Sequence, residues 1–274
     1  MTVLVTGANG LIGSCVVARL DAAGEKVIAV GRGPRREVPP RAEYVELDLT
    51  GANALRELIS ASAPRGVIHC AAMTDVDACE RDPLQAWAMN AGATQAAALG
   101  CREAGARLVA LSTDYVFDGE RGPYSEDDAP NPRSVYARTK RVGEEAALLL
   151  APDGAIARVA LVYSGRRGAR RTFATAATEQ LLAGQQVRAF QDQVASPTLA
   201  DNAAEMVIGL FRSGERGICH CAGATAVSRV DFCRALARKL RADERLVVPV
   251  ALSAVKLLAP RPARCALRVD KVRR

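Results

Sequence analysis

Short apolar runs alternate along this chain with stretches in which apolar residues recur every three or four positions. The first pattern belongs to strands buried on both faces, the second to helices with one buried stripe. Thr2-Val3-Leu4-Val5 predicts a strand over 2–6. A glycine-rich turn, Gly7 to Gly13, runs into a helical pattern through Val16, Val17 and Leu20 that Gly24 stops. Lys26 to Val30 predicts the second strand. The alternation continues with strands at 44–47, 66–70, 108–112 and 155–159, and helices over 53–62 and 83–104 and around Tyr136. Beyond residue 160 the rhythm loosens: a helix near 172–183, a strand at 186–190, a turn over 191–198, a helix over 199–212, a strand at 217–221 and a helix over 228–241. Alternating strands and helices predict an α/β fold, a Rossmann-type doubly wound parallel sheet. The expected division is 1–160 for dinucleotide binding and 161–274 for a small C-terminal substrate-binding lobe, partly interleaved with the first part.

Composition narrows the class. The 274 residues are 49% apolar and 24% charged, which fits a globular chain with a full core. No run of about 18 uncharged apolar residues occurs, so no membrane span is expected. The chain opens directly into a strand pattern without a basic leader, which makes the cytoplasm the expected location. Eight cysteines lie scattered without a C-x-x-C pair, and with two histidines they predict reduced thiols and no metal site. In Cys219-His220-Cys221, strand alternation sends the two thiols to one side and the imidazole to the other. His69, among apolar neighbours, reads as a packing or hydrogen-bonding residue.

Charge adds one feature. The balance is +7, with Arg166, Arg167, Arg170 and Arg171 in one loop and a basic tail from Arg261 to Arg274. Such clusters attract phosphate-bearing small molecules. No aromatic residues interleave with them, so nucleic acid is not an expected partner.

Two constellations carry chemistry. The first is the turn Gly7-x-x-Gly10-x-x-Gly13 between a strand and a helix, with Asn9, Leu11 and Ile12 inside it. Glycines let backbone N–H groups approach a pyrophosphate, and the helix start offers partial positive charge. Arg32, nineteen residues past Gly13, stands where an acid would bind a ribose 2′-hydroxyl. A guanidinium there suits a 2′-phosphate, so NADPH is expected, with NADH possible. Arg35 and Arg36 read as plain surface charge. Ala71, Ala72 and Thr74 follow a strand end where a flat cofactor lies close. The second constellation is Tyr136 and Lys140, four apart and on one helical face, with a hydroxyl from Thr113 or Ser112 at the carboxyl end of a strand to complete it. A nearby ammonium is expected to lower the phenol pKa from ~10, making Tyr136 usable for proton transfer.

These motifs, with Asp48-Leu49, Asn90, the run Ser112 to Gly119, Asp192-Gln193, Ser196-Pro197-Thr198 and Arg261-Pro262, resemble extended short-chain dehydrogenase/reductases, in particular the dTDP-4-dehydrorhamnose reductase branch. The resemblance implies hydride transfer from NAD(P)H to the C4 carbonyl of a nucleotide-linked 4-keto-6-deoxysugar. It implies Thr113, Tyr136 and Lys140 as the catalytic set, and Asp48, Leu49 and Asn90 as cofactor contacts. It implies Thr74, Asp114, Val116, Phe173 and Arg261 as substrate contacts, and a homodimer as a possible assembly. Two alternatives stay open. One is a ketoreductase of a non-nucleotide secondary metabolite. The other is a non-catalytic NADP-binding regulatory subunit resembling that of methionine adenosyltransferase.

Overall fold

A computed structural model describes residues 2–36, 38–51, 53–165 and 171–273. The first half runs β1 (Thr2–Thr6), α1 (Leu11–Ala22), β2 (Lys26–Gly31), β3 (Glu43–Glu46), α2 (Ala54–Ser62), β4 (Gly66–His69), α3 (Val76–Arg81), α4 (Pro83–Ala86), α5 (Ala93–Ala104), β5 (Arg107–Thr113), α6 (Val135–Leu150) and β6 (Ala155–Val159). The second half runs β7 (Val162–Tyr163), α7 (Phe173–Leu182), β8 (Val187–Phe190), β9 (Val194–Ala195), β10 (Thr198–Leu199), α8 (Ala200–Ser213), β11 (Gly217–His220), β12 (Val227–Ser228), α9 (Arg229–Leu240) and β13 (Val247–Val250).

Seven strands form one parallel sheet in the order β11-β6-β5-β4-β1-β2-β3. The order reverses beside β1, which makes the carboxyl ends of β1 and β4 the crevice where such sheets bind ligands. Period-two alternation splits β1 between two cores. Val3 and Val5 join α1 and α8 on one face, while Leu4 joins α2, α5 and α6 on the other. Smaller clusters hold the rest: Ala177, Val187, Val230 and Val247 tie α7, α9, β8 and β13 together. The later segments also re-enter the main body, since β11 pairs with β6 and α8 packs on α1.

The expected helix over 83–104 is broken. A π-turn at Trp87–Gly92 separates α4 from α5 and presents Asn90 inward. There the Asn90 side chain bonds both the Met73 N–H, at 2.8 Å, and the Met73 carbonyl, at 3.1 Å. The register slip serves that contact, which a regular helical phase would turn aside. Helix α3 escaped the periodicity because it is six residues long, although Asp75 caps it through the Ala78 N–H at 2.9 Å. The expected turn over 191–198 contains β9 and β10, two-residue strands whose partners β12 and β7 lie far off in sequence. All eight cysteines are free, and seven are buried. Among the described residues, no three His, Cys, Asp or Glu side chains gather as metal ligands, and no helix is long and apolar enough to cross a membrane. Arg166, Arg167, Arg170 and Arg274 lie outside the described residues.

Candidate active site

The glycines of the first turn are required sterically. Gly7 has φ +66°, and a Cβ there would lie 2.8 Å from the Ala71 nitrogen. A Cβ on Gly13 would fall 2.1 Å from the Gly7 carbonyl oxygen. Strand exit, turn and helix therefore touch through backbone alone. Gly10 begins α1 with no side-chain cap, and the first turn holds no acid. Its N–H groups face a groove of about 820 Å³ lined by Gly7, Gly10, Leu11, Ile12 and Gly13. That end of the groove has the donors and partial charge that a pyrophosphate needs.

Asn9 does a different job from its neighbours. Its side-chain amide donates to the Arg32 and Pro34 carbonyls, each at 3.1 Å, and its Oδ1 accepts from the Arg36 N–H at 3.2 Å. It fixes the loop after β2 so that both Arg32 and Arg36 line the groove. Arg36 is surface charge as expected, but the folded loop places it at the groove's edge. Arg35 instead bonds the Val38 carbonyl.

Leu49, Ala71, Ala72 and Thr74 line the same groove. Asp48 does not. Its carboxylate turns back on the Thr50 N–H at 2.9 Å and hydroxyl at 2.8 Å, and those bonds hold its pKa below the usual range. Asn90 is fully buried beneath the groove. Besides Met73 it reaches the Thr139 hydroxyl at 3.1 Å, joining the strand-end floor to α6.

Helix α6 brings the reactive side chains. Ser134 caps it by accepting the Ala137 N–H at 3.2 Å. One turn in, Tyr136 and Lys140 are both buried and both line the groove. A second turn on, Glu144 meets Arg158 of β6 in a bidentate pair at 2.8 and 2.7 Å, with both side chains almost fully buried. The Arg158 guanidinium also covers the Phe117 ring at 5.0 Å. Burial opposes the Glu144 charge, but Arg158 outweighs it and the pKa falls. This pair pins the reactive helix to the sheet.

The electrostatics of Tyr136 differ from expectation. Burial raises the phenol pKa above its ordinary value, and interaction with the Thr113 hydroxyl opposes only part of that. The Lys140 ammonium, its own pKa lowered to about 8 by burial, donates to the Leu111 carbonyl at 2.7 Å. The charge is spent on the sheet, not on the phenol. Thr113 in turn donates to Asp114 at 3.0 Å, and burial pushes the Asp114 carboxyl up to about 7. His69, at the carboxyl end of β4 and bonded to the Thr6 hydroxyl at 2.9 Å, is held neutral: burial takes its pKa down to about 3.

Behind Tyr136 the groove opens into a second chamber of about 180 Å³. Thr74, Thr113, Asp114, Tyr136 and Leu161 border both spaces. Leu161 holds φ +38°, a left-handed conformation costing roughly 1 kcal/mol, and its carbonyl accepts from the Thr198 N–H. The far wall comes from distant segments: Gln193 to Ala195, Arg229, Pro262 and Cys265. The tail reaches it because the Val194 N–H donates to the Ala263 carbonyl at 2.6 Å and the Arg264 N–H to the Gly119 carbonyl at 2.9 Å. Of the expected substrate contacts, Asp114 borders both spaces and Phe173 lines the groove. Val116 is fully buried in the core beneath, against Phe117. Arg261 turns away to pair with Asp77 of α3 at 2.9 Å. Arg229 and Gln193 carry the chamber's polarity; Arg229 has no motif of its own in the sequence, so periodicity could not single it out.

The chain resembles known proteins along nearly all its length. A Mycobacterium tuberculosis (strain CDC 1551 / Oshkosh) protein named dTDP-4-dehydrorhamnose reductase is 36% identical over 271 residues, spanning 96% of this chain and 84% of that one. A Streptomyces antibioticus protein named as a probable dTDP-4,6-dihydroxy-2-methyloxan-3-one 4-ketoreductase is 37% identical, spanning 98% and 88%. Among solved structures, the dTDP-4-dehydrorhamnose reductase of Clostridium acetobutylicum superposes with TM-score 0.87 at 31% identity, over 98% and 90% of the two chains. That of Bacillus anthracis, in complex with NADP, superposes with TM-score 0.88 at 25% identity, over 99% and 92%. Residues 1–274 match the RmlD substrate binding domain throughout, and with the glycine turn, the Tyr136–Lys140 helix and the seven-stranded parallel sheet this places the chain in that family.

Proposed function

We propose that this protein is an NADPH-dependent reductase of a nucleotide-linked 4-keto-6-deoxysugar. The observation that carries the reading is the single groove running from the Gly7–Gly13 turn to Tyr136 and on into a second, polar chamber. The near end fits a dinucleotide: Gly7 and Gly13 admit no side chain, the α1 N-terminus is uncapped, and Arg32 and Arg36 stand where a 2′-phosphate would lie. Bound there, NADPH supplies the hydride.

The chain's own residues do the rest. Thr113 hydrogen-bonds the carbonyl oxygen and Tyr136 delivers the proton to it. A buried phenol with a raised pKa holds its proton firmly, so transfer is timed to the moment when negative charge develops on the substrate oxygen. Lys140, on the same face of α6 and held by the Leu111 carbonyl, grips the nicotinamide-side ribose. Asn90 acts by tying the Met73 backbone to α6, and Asp48 by shaping the turn at Thr50 rather than by gripping the cofactor.

The same reading assigns residues 1–160 to the cofactor and 161–274 to the sugar, with β11 and α8 returning to the first part. It includes a cytoplasmic location and a homodimer. For the dimer the support is the exposed apolar set Leu84, Trp87, Val142 and Leu149 on α4, the π-turn and α6. Light scattering of the purified chain reads the mass directly.

The test of function is NADPH oxidation against a panel of dTDP-4-keto-6-deoxysugars. Turnover of at least one, with NADPH preferred to NADH, is the expected result. NADPH binding with no turnover anywhere in the panel overturns it.

A further inference from the structure

Arg229 is a cation with no carboxylate in ion-pair contact among the described residues; Asp114 attracts it only from across the chamber, and burial pulls its pKa down. It opens α9, its backbone N–H donating to the Gln193 carbonyl at 3.1 Å, so β12 and β9 fix where it starts. Its Nε donates to Gln193 Oε1 at 3.1 Å, and Gln193 Nε2 donates onward to the Pro262 carbonyl at 3.3 Å. The guanidinium plane lies over the Phe173 ring at 4.8 Å. With the Tyr115 hydroxyl these contacts hold the group in place, and none of them is a carboxylate. No carboxylate pairs with it among the described residues, and its Nη1 is shielded from solvent with no hydrogen-bond partner.

A buried, unsatisfied donor on a charged group is expensive, on the order of 1–3 kcal/mol or more. It persists where something else completes it. Arg229 lines the small chamber, and the other side of that chamber is Thr113, Asp114 and Tyr136. Whatever carries the carbonyl to Tyr136 therefore brings its nearest substituents toward Arg229. About 180 Å³ is space for roughly six waters at ~30 Å³ each, enough for a sugar ring and not for a nucleotide. The diphosphate and base must lie outside, toward the open groove.

Resting on the ketone-reductase reading above, we infer that Arg229 determines substrate specificity by donating through Nη1 to an oxygen substituent on the sugar ring that bears the reacting carbonyl. Gln193 and Phe173 aim the guanidinium, and the ring hydroxyl accepts. A ring lacking that oxygen leaves the donor buried and unpaired, so the site discriminates against the deoxygenated analogue. Discrimination built on a hydrogen-bonding donor is steep, unlike that of an apolar pocket.

The experiment compares a dTDP-4-keto-6-deoxyhexose carrying its ring hydroxyls with the matched analogues lacking one hydroxyl each. Each is assayed with wild type, Arg229→Met and Arg229→Lys. Wild type is expected to lose about 100-fold or more in kcat/KM on one deoxygenated analogue. Arg229→Met is expected to lose about 100-fold on the hydroxylated ketone yet change less than threefold on that analogue. Arg229→Lys keeps the charge and stem and should lose about tenfold on the hydroxylated ketone alone. It serves if the methionine variant does not fold, and NADPH affinity unchanged from wild type certifies the fold. Equal losses on all ketones, or none, overturn the inference while leaving the reductase reading standing. No turnover of any ketone by wild type overturns both.

Discussion

The cofactor end of the groove and the sugar chamber are built in opposite ways. The cofactor end is made by consecutive residues: one turn supplies Gly7, Gly10 and Gly13, and the next strand supplies Arg32. The chamber is made by seven separate segments, from Thr74 to Cys265, brought together by two-residue strands and single backbone bonds. A pyrophosphate demands the same donors in every dinucleotide enzyme, so local backbone can specify them. A sugar ring is defined by scattered hydroxyls, and dispersed segments can be altered one at a time. On the proposed reading, the cofactor is held by the locally specified end and the choice of substrate falls to the assembled end, with Thr113 and Tyr136 lining both.

The most damaging test of this contrast is Glu144→Ala. It leaves Arg158 buried and unpaired on β6, and the expected cost is about 3–5 kcal/mol of stability, read by denaturant unfolding. A loss below 1 kcal/mol would mean that α6 is not anchored where the locally specified end requires.

Next in size is Tyr136→Phe, expected to lower kcat by on the order of 10²-fold or more while NADPH affinity stays within about twofold. An unchanged rate removes the phenol from the chemistry.

The cofactor end is sharpened by Arg32→Ala with Arg36→Ala. NADPH affinity should fall about tenfold, from loss of charge-assisted bonds, with NADH affinity unaffected. An equal loss for both cofactors would move these arginines off the 2′-phosphate.

His69 gives a pH test of the buried floor. Its folded pKa, about 3, lies below the unfolded value near 6.5, so the unfolded chain binds the extra proton between them. The stability it contributes is intact above pH ~6.5 and lost as pH falls toward 3, at up to ~1.4 kcal/mol per pH unit. Unfolding free energies of wild type and His69→Gln between pH 7 and 5 should diverge by that slope. Parallel curves would refute it.

Smallest is Arg261→Ala, which removes a partly exposed pair with Asp77. A rise of about two- to fivefold in the sugar KM, with NADPH affinity unmoved, is expected from a loosened tail.

Much of this molecule was legible before folding. The strands of the sheet, the turn and the Tyr136 helix announce themselves through period, glycine spacing and a polar face, all properties of neighbours in sequence. The sequence also placed Tyr136, Lys140 and Thr113 within one groove, and all three line it. What misled was pairing by proximity. Lys140 stands one turn from Tyr136, yet its ammonium meets the Leu111 carbonyl. Asp48 and Asn90 occupy motif positions, yet one turns back on Thr50 and the other lies under the floor. Spacing tells which residues share a face, whereas the packed sheet decides which partner each side chain takes.

The amino-acid order by itself determined the α/β alternation, the parallel sheet, the dinucleotide turn and the reactive helix, because each depends on a local periodicity or a steric demand within a few residues. Only the tertiary structure decided the rest: Arg36 brought to the groove's edge, the buried pair behind α6, and Arg229, its Nη1 unsatisfied, facing Tyr136 across the chamber. Those depend on contacts between residues up to about two hundred positions apart, whose desolvation and pairing no periodic pattern encodes.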